Sequence, residues 1–510
     1  MPPFGTYNIS CNISFDKTTN KEVVCMDRVT ENGLDFKDFE QWCYDMGMAF
    51  ARMLMVTALA SLDAHILKTR DKAVYRSKGL RKLSLKTLMG EVDINRRLYK
   101  TKTEDGSVCH IHLLDQMIGL DTIGKISMGL IARMAEVITE SSYRATAAAI
   151  SFMTGQCISH TGVWNAVQAV GEKIRAIDSR NAKAVKAFMN AGKKVVKVLQ
   201  EEFDGVWINM QGKDRPKNGR KTELKVASAY EGVRFAGMDK EGRPNYDLEN
   251  PVFIAGFEKA EEFFDLKEGL LGTIFNMDEI ETRLMNGDGG SWIQGFADRV
   301  DGEVHLQLDP FHIMRAIKRS GLSKEAQRLV ERAISGKKIP AMLRYIRLIW
   351  HREEDEKKKG QIGKLFGYFS ENAAYMVPIK ERGLTLPKPE DDILYGNMGT
   401  MEGTVCSVIA LRMKHRRASF TKAGANNLSR LLSAKRSGTL NETIFSLSSM
   451  LLPMSFEQMV TEVLSAARAP KTDGKGFHYP INGGMPFYGA YTTSGRRAVQ
   501  VAAGYHREDV

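Results

Sequence analysis

The stretch Val195 to Met210, VVKVLQEEFDGVWINM, constrains this chain more than any other. Val196, Val198, Val206 and Ile208 are β-branched and polar residues interleave with them, which is the pattern of a strand. Asp204 lies inside that pattern although Asp is a poor strand residue, and local rules of this kind break most often at functional sites. Asp204-Gly205 also reads as a turn between two short strands, since Asp-Gly is a strong hairpin signal. Two later carboxylates favour the first reading: Asp288 in the Gly-rich turn NGDGGSW, and Glu402 in the first turn of a helix that Thr400 is placed to cap.

A chain of 510 residues exceeds what one hydrophobic core supports, so several domains are expected. The six cysteines form no close pair, and Cys109-His110-Ile111-His112 lacks a second ligand pair for zinc. Reduced thiols, and an N-terminus without a basic region followed by an apolar one, lead us to expect a cytoplasmic protein. The apolar run Met46 to Leu62 contains Arg52 and stops at Asp63, so no membrane span is expected. The net charge of +12 suits a polyanionic partner. Its distribution is more telling: Leu411 to Arg436 holds eight Lys or Arg residues and no Asp or Glu, which points to phosphate contact through Arg412, Lys414, Arg416 and Arg417.

In chain order, residues 1 to 33 read as an irregular lead-in. Phe36 to Lys68 has helical spacing, with Met46, Met48, Met53 and Met55 expected as core filler. A basic stretch leads to Val92, Ile94 and Leu98, which alternate as in a strand or hairpin. Three helical segments follow, 128–138, 143–153 and 159–174, with a Gly155-Gln156 turn before the last. That is a helix-turn-helix layout, in which Ser159, His160, Thr161 and Asn165 reach DNA bases; an ordinary three-helix unit has the same rhythm. A charged helical connector precedes three strands, a helix, a strand, a helix and a strand, and residues 310 to 380 return to helix. Another helical stretch is expected at Phe456 to Ala467.

Three converging carboxylates suit hard divalent cations, and paired ions of that kind serve phosphoryl transfer. The segments FDGVWINMQG, ELKVASAYEG, NGDGGSWI, LDPFHIMRAI and MEGTVCSVIALRMKHRR together resemble bacterial DDE insertion-sequence transposases. The nearest likeness is to the ISLre family, related to Mutator-like transposases. The resemblance implies an RNase H-like α/β catalytic domain with catalytic, metal-holding Asp204, Asp288 and Glu402, two Mg²⁺ or Mn²⁺ ions, and double-stranded DNA as partner. It also implies a helical insertion over 310–395, and synapsis of two DNA ends by a dimer or larger assembly. Asp309-x-x-His312 resembles the Mutator-like (Cys or Asp)-x-x-His element, with His312 expected to support the site or touch DNA and not to be a metal ligand.

The implied divisions are 1–115, a helix-turn-helix region at 116–190, the catalytic core at 191–309 and 396–440, the insertion between its halves, and a C-terminal region at 441–510. Glu201, Glu202, Asp298, Asp301 and Asp309 compete for the catalytic roles; most are expected to be surface charges, with Asp309 as a helix cap. Two other functions fit the same residues: a DNA-binding regulator without catalysis, and a metal-dependent nuclease or resolvase that performs no strand transfer.

Overall fold

The computed structural model describes residues 36–446 apart from 104, 121, 190, 191, 301, 390, 391, 396, 397, 416 and 417, together with the backbone of the antiparallel strands Cys11–Asp16 and Lys21–Met26. Those two strands replace the expected irregular lead-in. The expected helix at 456–467 and most of the 441–510 region lie outside the described residues. The chain divides into two units, one drawing on Met1–Leu130 and Ala149–Cys157, the other on Ile131–Ala148 and Ile158–Ser448.

In the first unit the helix Phe36–Thr69 buries Leu59, Leu62 and Ile66 against a sheet whose long hairpin is Arg76–Thr87 and Gly90–Lys102. Buried Asp63 accepts a hydrogen bond from the Arg97 amide at 2.9 Å and pairs with the Arg97 guanidinium. Of the methionines expected as core filler, Met55 packs against this core and Met48 is half-buried, while Met46 and Met53 are exposed, as are Phe36, Phe50 and Leu54. By length and composition alone this helix is long and apolar enough to cross a membrane, although Arg52 and Asp63 lie within it. The basic stretch after it is itself a strand, which its scattered Leu residues did not announce.

The second unit is mixed α/β. The helix α1 runs unbroken over His160–Lys186, so the expected connector is a continuation of the preceding helix. The strands and helices that follow are β1 (Val198–Asn209), β2 (Lys221–Tyr230), β3 (Val252–Gly256), α2 (Ala260–Leu271), β4 (Thr282–Gly287), α3 (Ser291–Ala297) and β5 (Glu303–Leu308). They form one sheet in the order β3-β2-β1-β4-β5. Strand β2 runs antiparallel to both β1 and β3, whereas β4 and β5 run parallel to β1. The strand β1 does not turn at Asp204-Gly205, because Asp204 pairs with Val226 of β2 and the ladder continues to Asn209. A small hairpin, Val233–Met238 and Pro244–Leu248, is inserted between β2 and β3.

Helices α4 (Pro310–Arg319), α5 (Lys324–Ser335), α6 (Ile339–Arg352) and α7 (Glu356–Glu371) share a separate core around Ile317, Val330, Ile346, Ile362 and Phe369. The chain then returns to the sheet as the short helix α8 (Met401–Val405) and, further on, α9 (Lys422–Arg436). Helix α1 packs on both α2 and α9. It meets α9 at Gly171, where a β-carbon would lie 2.4 Å from the Asn427 β-carbon, so backbone contact requires glycine.

Glu201 and Glu202 are not surface charges; both are fully buried in β1. Glu201 pairs with Lys267 of α2 and, at 2.9 Å, with Arg283 of β4, whose guanidinium also grips Glu268 through two bonds of 2.9 Å. Burial alone would raise the Glu268 carboxyl, but Lys267 and Arg283 hold it well below the usual range. Removing one member of such a network strands a buried opposite charge. Glu201→Ala is therefore expected to lower unfolding stability by about 3–5 kcal/mol in urea denaturation; an unchanged midpoint would contradict this role.

Candidate active site

The site arises where two parallel strands part. In the β1–β4 ladder Asn286 lies opposite Glu202, and β4 ends at Gly287 while β1 continues. Carrying that offset two residues further places Asp288 opposite Asp204. Between β4 and β5, Gly287 lies opposite Leu308, so the same step aligns Asp288 with Asp309. Three aspartates thus stand in a row, Asp288 and Asp309 just past the carboxyl ends of β4 and β5 and Asp204 within β1 where it begins to outrun them; the carboxyl end is where open α/β sheets bind ligands.

Each is fixed locally. Asp204 accepts from its own neighbour, the Gly205 amide, at 2.7 Å. Asp288 accepts from the Gly290 amide at 2.9 Å, and its carbonyl receives the Tyr368 hydroxyl of α7 at 2.8 Å. Between them Gly289 has φ +83°, a conformation that side chains disfavour. Asp309 caps α4 through the Phe311 amide at 3.2 Å and receives the Nδ1–H of His312 at 3.0 Å. That bond turns Nε2 of His312 toward Asp204, 3.8 Å from its Oδ1. One ligand atom each from Asp204, Asp288 and His312 lies within 4.8 Å of the other two, a donor set and spacing that fit a divalent ion.

Glu402 enters from α8, and Glu202 places that helix. The Glu202 carboxylate accepts from the Gly399 amide at 2.8 Å, the Thr400 hydroxyl at 2.7 Å and the Thr400 and Met401 amides at 3.3 Å. It also receives the Tyr230 hydroxyl at 2.6 Å and Asn286 at 3.2 Å. The expected cap, Thr400, makes no side-chain capping bond; the buried Glu202 on the neighbouring strand satisfies the helix amides instead. A π-helical turn, Cys406–Ala410, follows directly.

Asp204, Asp288, His312 and Glu402 line a common cleft of about 730 Å³. A stripe of α4 at helical spacing, Phe311, Met314, Arg315, Lys318 and Arg319, lines the same cleft, while Ile313 and Ile317 of that helix face the core. Among the described residues no carboxylate pairs with Arg315, Lys318, Arg319 or Lys414. Burial pushes the Asp204 carboxyl from 3.8 to about 6; His312 and the Gly205 amide pull it down, and Asp288 and Glu402 push it further up. Burial would lower His312, but Asp309, Asp204 and Asp288 together raise it.

The structure separates the candidate residues. Asp204, Asp288 and His312 come together, and Glu402 lines the same cleft without joining their tight cluster. His312, expected not to be a metal ligand, is partly exposed in the cleft and stands within the ion-sized cluster with Asp204 and Asp288. Ser159 caps α1 through the Gly162 amide at 3.0 Å, and His160, Thr161 and Asn165 are exposed on its first turns. Lys414 is exposed and lines the cleft. Arg412 is a correction: it is buried, donates to the Ile138 carbonyl at 2.8 Å and stacks over Tyr143, so it is withheld from any phosphate. The absence of local counter-charge misled, because Arg430 and Lys435 of the same run pair with Glu258 and Glu136 from elsewhere. Arg416, Arg417 and Asp301 lie outside the described residues. Asp298 is exposed at the end of α3.

Glu223 of β2 was not anticipated. It lines the cleft, and its carboxylate lies so close over Gly205 that a β-carbon there would be 2.1 Å from Oε1. Burial raises its carboxyl, Lys225 lowers it and Asp288 raises it. Its position beside a strand glycine was the only available signal.

Residues 29–444 match the family described as "Uncharacterised protein family (UPF0236)". The chain belongs to that family. A relative from Streptococcus gallolyticus, "UPF0236 protein in vanSb 3'region", is 25% identical over 361 residues, which cover 69% of this UPF0236 chain and 72% of the relative. Among solved structures, the "Drosophila P element transposase strand transfer complex" aligns over 66% of this chain and 86% of that one, at 9% identity and a TM-score of 0.19. A likeness of that degree transfers neither fold nor function.

An Asp204 that releases its proton near pH 6 when folded, but near 3.8 when unfolded, binds more protons in the folded state between those values. Its contribution to stability therefore falls as pH rises from about 4 to 6 and stays low above. In metal-free protein, Asp204→Asn is expected to raise stability at pH 7.5 by up to about 3 kcal/mol, shrinking toward zero at pH 4. Denaturation midpoints at the two pH values check this.

Proposed function

We propose that this UPF0236 chain is a metal-dependent DNA transposase with an RNase H-like catalytic domain, similar to the ISLre insertion-sequence transposases. The observation that carries the reading is the row of aspartates sharing a cleft with an unpaired basic helix face. Supporting it is the sheet itself, in which three antiparallel strands are followed by two that run parallel to the central first one.

Asp204 and Asp288 hold the ions, His312 is an additional ligand kept in place by Asp309, and Glu402 completes the coordination from α8. When bound, such ions activate an attacking oxygen and stabilise the leaving one at a phosphodiester. Arg315, Lys318, Arg319 and Lys414 receive the phosphates on either side of the cut. Water first frees a 3′-OH at the element end, and that hydroxyl then attacks target DNA; no covalent link to the protein forms. The exposed first turns of α1, with His160, Thr161 and Asn165, contact the terminal inverted repeats, and a dimer or larger assembly brings two ends together in the cytoplasm.

The test is cleavage and joining of labelled DNA carrying the flanking element ends, with Mg²⁺ or Mn²⁺. Wild type is expected to cut and join, while Asp204→Ala, Asp288→Ala and Glu402→Ala bind but fall to background. Binding without reaction in either metal would favour the regulator, and cutting without joining the nuclease. In the same DNA, Lys318→Ala and Arg319→Ala should each weaken binding regardless of sequence and reduce the salt slope of log K by about 1.

A further inference from the structure

An exposed indole lines the cleft, and among the described residues no other ring packs on it. Trp207 lies on β1 three residues beyond Asp204, is 53% exposed, and lines the cleft with the carboxylates. Among the described residues it has no ring partner, whereas Trp292 packs among Phe203, Phe263 and Phe296, and Trp350 stacks on Phe366. It stands where β1 has outrun β4, whose pairing with β1 ends at Glu202. Phe311, 42% exposed, also lines the cleft, but Arg315 already lies over its ring. A site that only bound phosphates would need cations alone. This cleft adds a large apolar plate to the carboxylates and cations that line it.

Aromatic plates next to a basic track are how proteins hold unpaired nucleotides, because every base offers a π-face. A paired base is already stacked on both sides and cannot meet an indole without leaving the helix. We infer that Trp207 stacks on an unpaired base beside the scissile phosphate, so that the cleft takes a locally melted DNA strand in preference to an intact duplex. The neighbouring phosphates follow the α4 stripe from His312 to Arg319, seven residues and therefore about 10 Å of helix. The inference deepens the transposase reading and rests on it for the identity of the substrate.

The test uses the full chain with Mn²⁺ and two short DNAs carrying 2-aminopurine at the terminal position, one fully paired and one with its last nucleotides unpaired. Wild type is expected to bind the unpaired end more tightly and to quench its 2-aminopurine. Trp207→Ala should lose about tenfold or more of that affinity, together with the quenching. Trp207→Phe should keep most of both, and both variants should bind the paired DNA as wild type does. Equal binding of the two DNAs by wild type, or a preference that survives Trp207→Ala, overturns the inference. The two readings fail separately. Trp207-dependent quenching without cleavage in either metal supports the stacking plate and removes the catalytic reading. Cleavage of both DNAs alike, with and without Trp207, removes the plate and leaves catalysis standing.

Discussion

The site depends on a charge kept out of water. Glu202 is fully buried in β1, and a carboxylate there persists only because it is surrounded by donors. Those donors are the amides of Gly399 and Met401, the amide and hydroxyl of Thr400, the Tyr230 hydroxyl and the Asn286 amide group. One side chain therefore ties the first turn of α8 to β1, β2 and β4. Its neighbour Glu201 does the corresponding work on the other face, joining β1 to α2 and β4 through Lys267 and Arg283. With both glutamates engaged inside, the next carboxylate on the strand, Asp204, is left to open into the cleft, and Glu402 arrives beside it on the helix that Glu202 anchors.

The cleft is electrostatically the reverse of that interior. Asp204 is desolvated yet has only His312 and a backbone amide to favour its charge, against the fields of Asp288 and Glu402. Its carboxyl is raised where that of Glu268, also desolvated but held by Lys267 and Arg283, is lowered. The same fold thus holds one carboxylate satisfied and another in deficit, a deficit that a cation held between Asp204, Asp288 and His312 would relieve. Instability stored at a working site in this way is the usual exchange of stability for function.

Part of this was legible in the sequence. A β-branched run announced β1 and the misfit of Asp204 within it; the glycines around Asp288 announced a tight turn after β4; the Asp-x-x-His spacing put Asp309 and His312 at a helix start. The α4 stripe was readable from Phe311, Met314, Arg315, Lys318 and Arg319 alternating with Ile313 and Ile317, but helical spacing does not say which polar face meets a cleft. What stayed hidden was long-range. Glu202 gains its role from residues about two hundred positions away, and Arg412 and Arg430 lose their surface role to an Ile138 carbonyl and to Glu258 and Asp178 on other elements. Local charge counts cannot see such partners. The exposed half of the Phe36–Thr69 helix was missed for a related reason, since apolar periodicity marks a face to be covered without showing whether anything covers it.

The central claim is that these side chains form one cation site, and Mn²⁺ binding tests it without any nucleic acid. Electron paramagnetic resonance of free Mn²⁺, titrated with protein at pH 7.5, should show binding by wild type that is lost in Asp204→Asn and Asp288→Asn and weakened in His312→Ala and Glu402→Gln. Wild type that leaves the free-ion signal unchanged, or Asp204→Asn that binds Mn²⁺ as tightly as wild type, would contradict it.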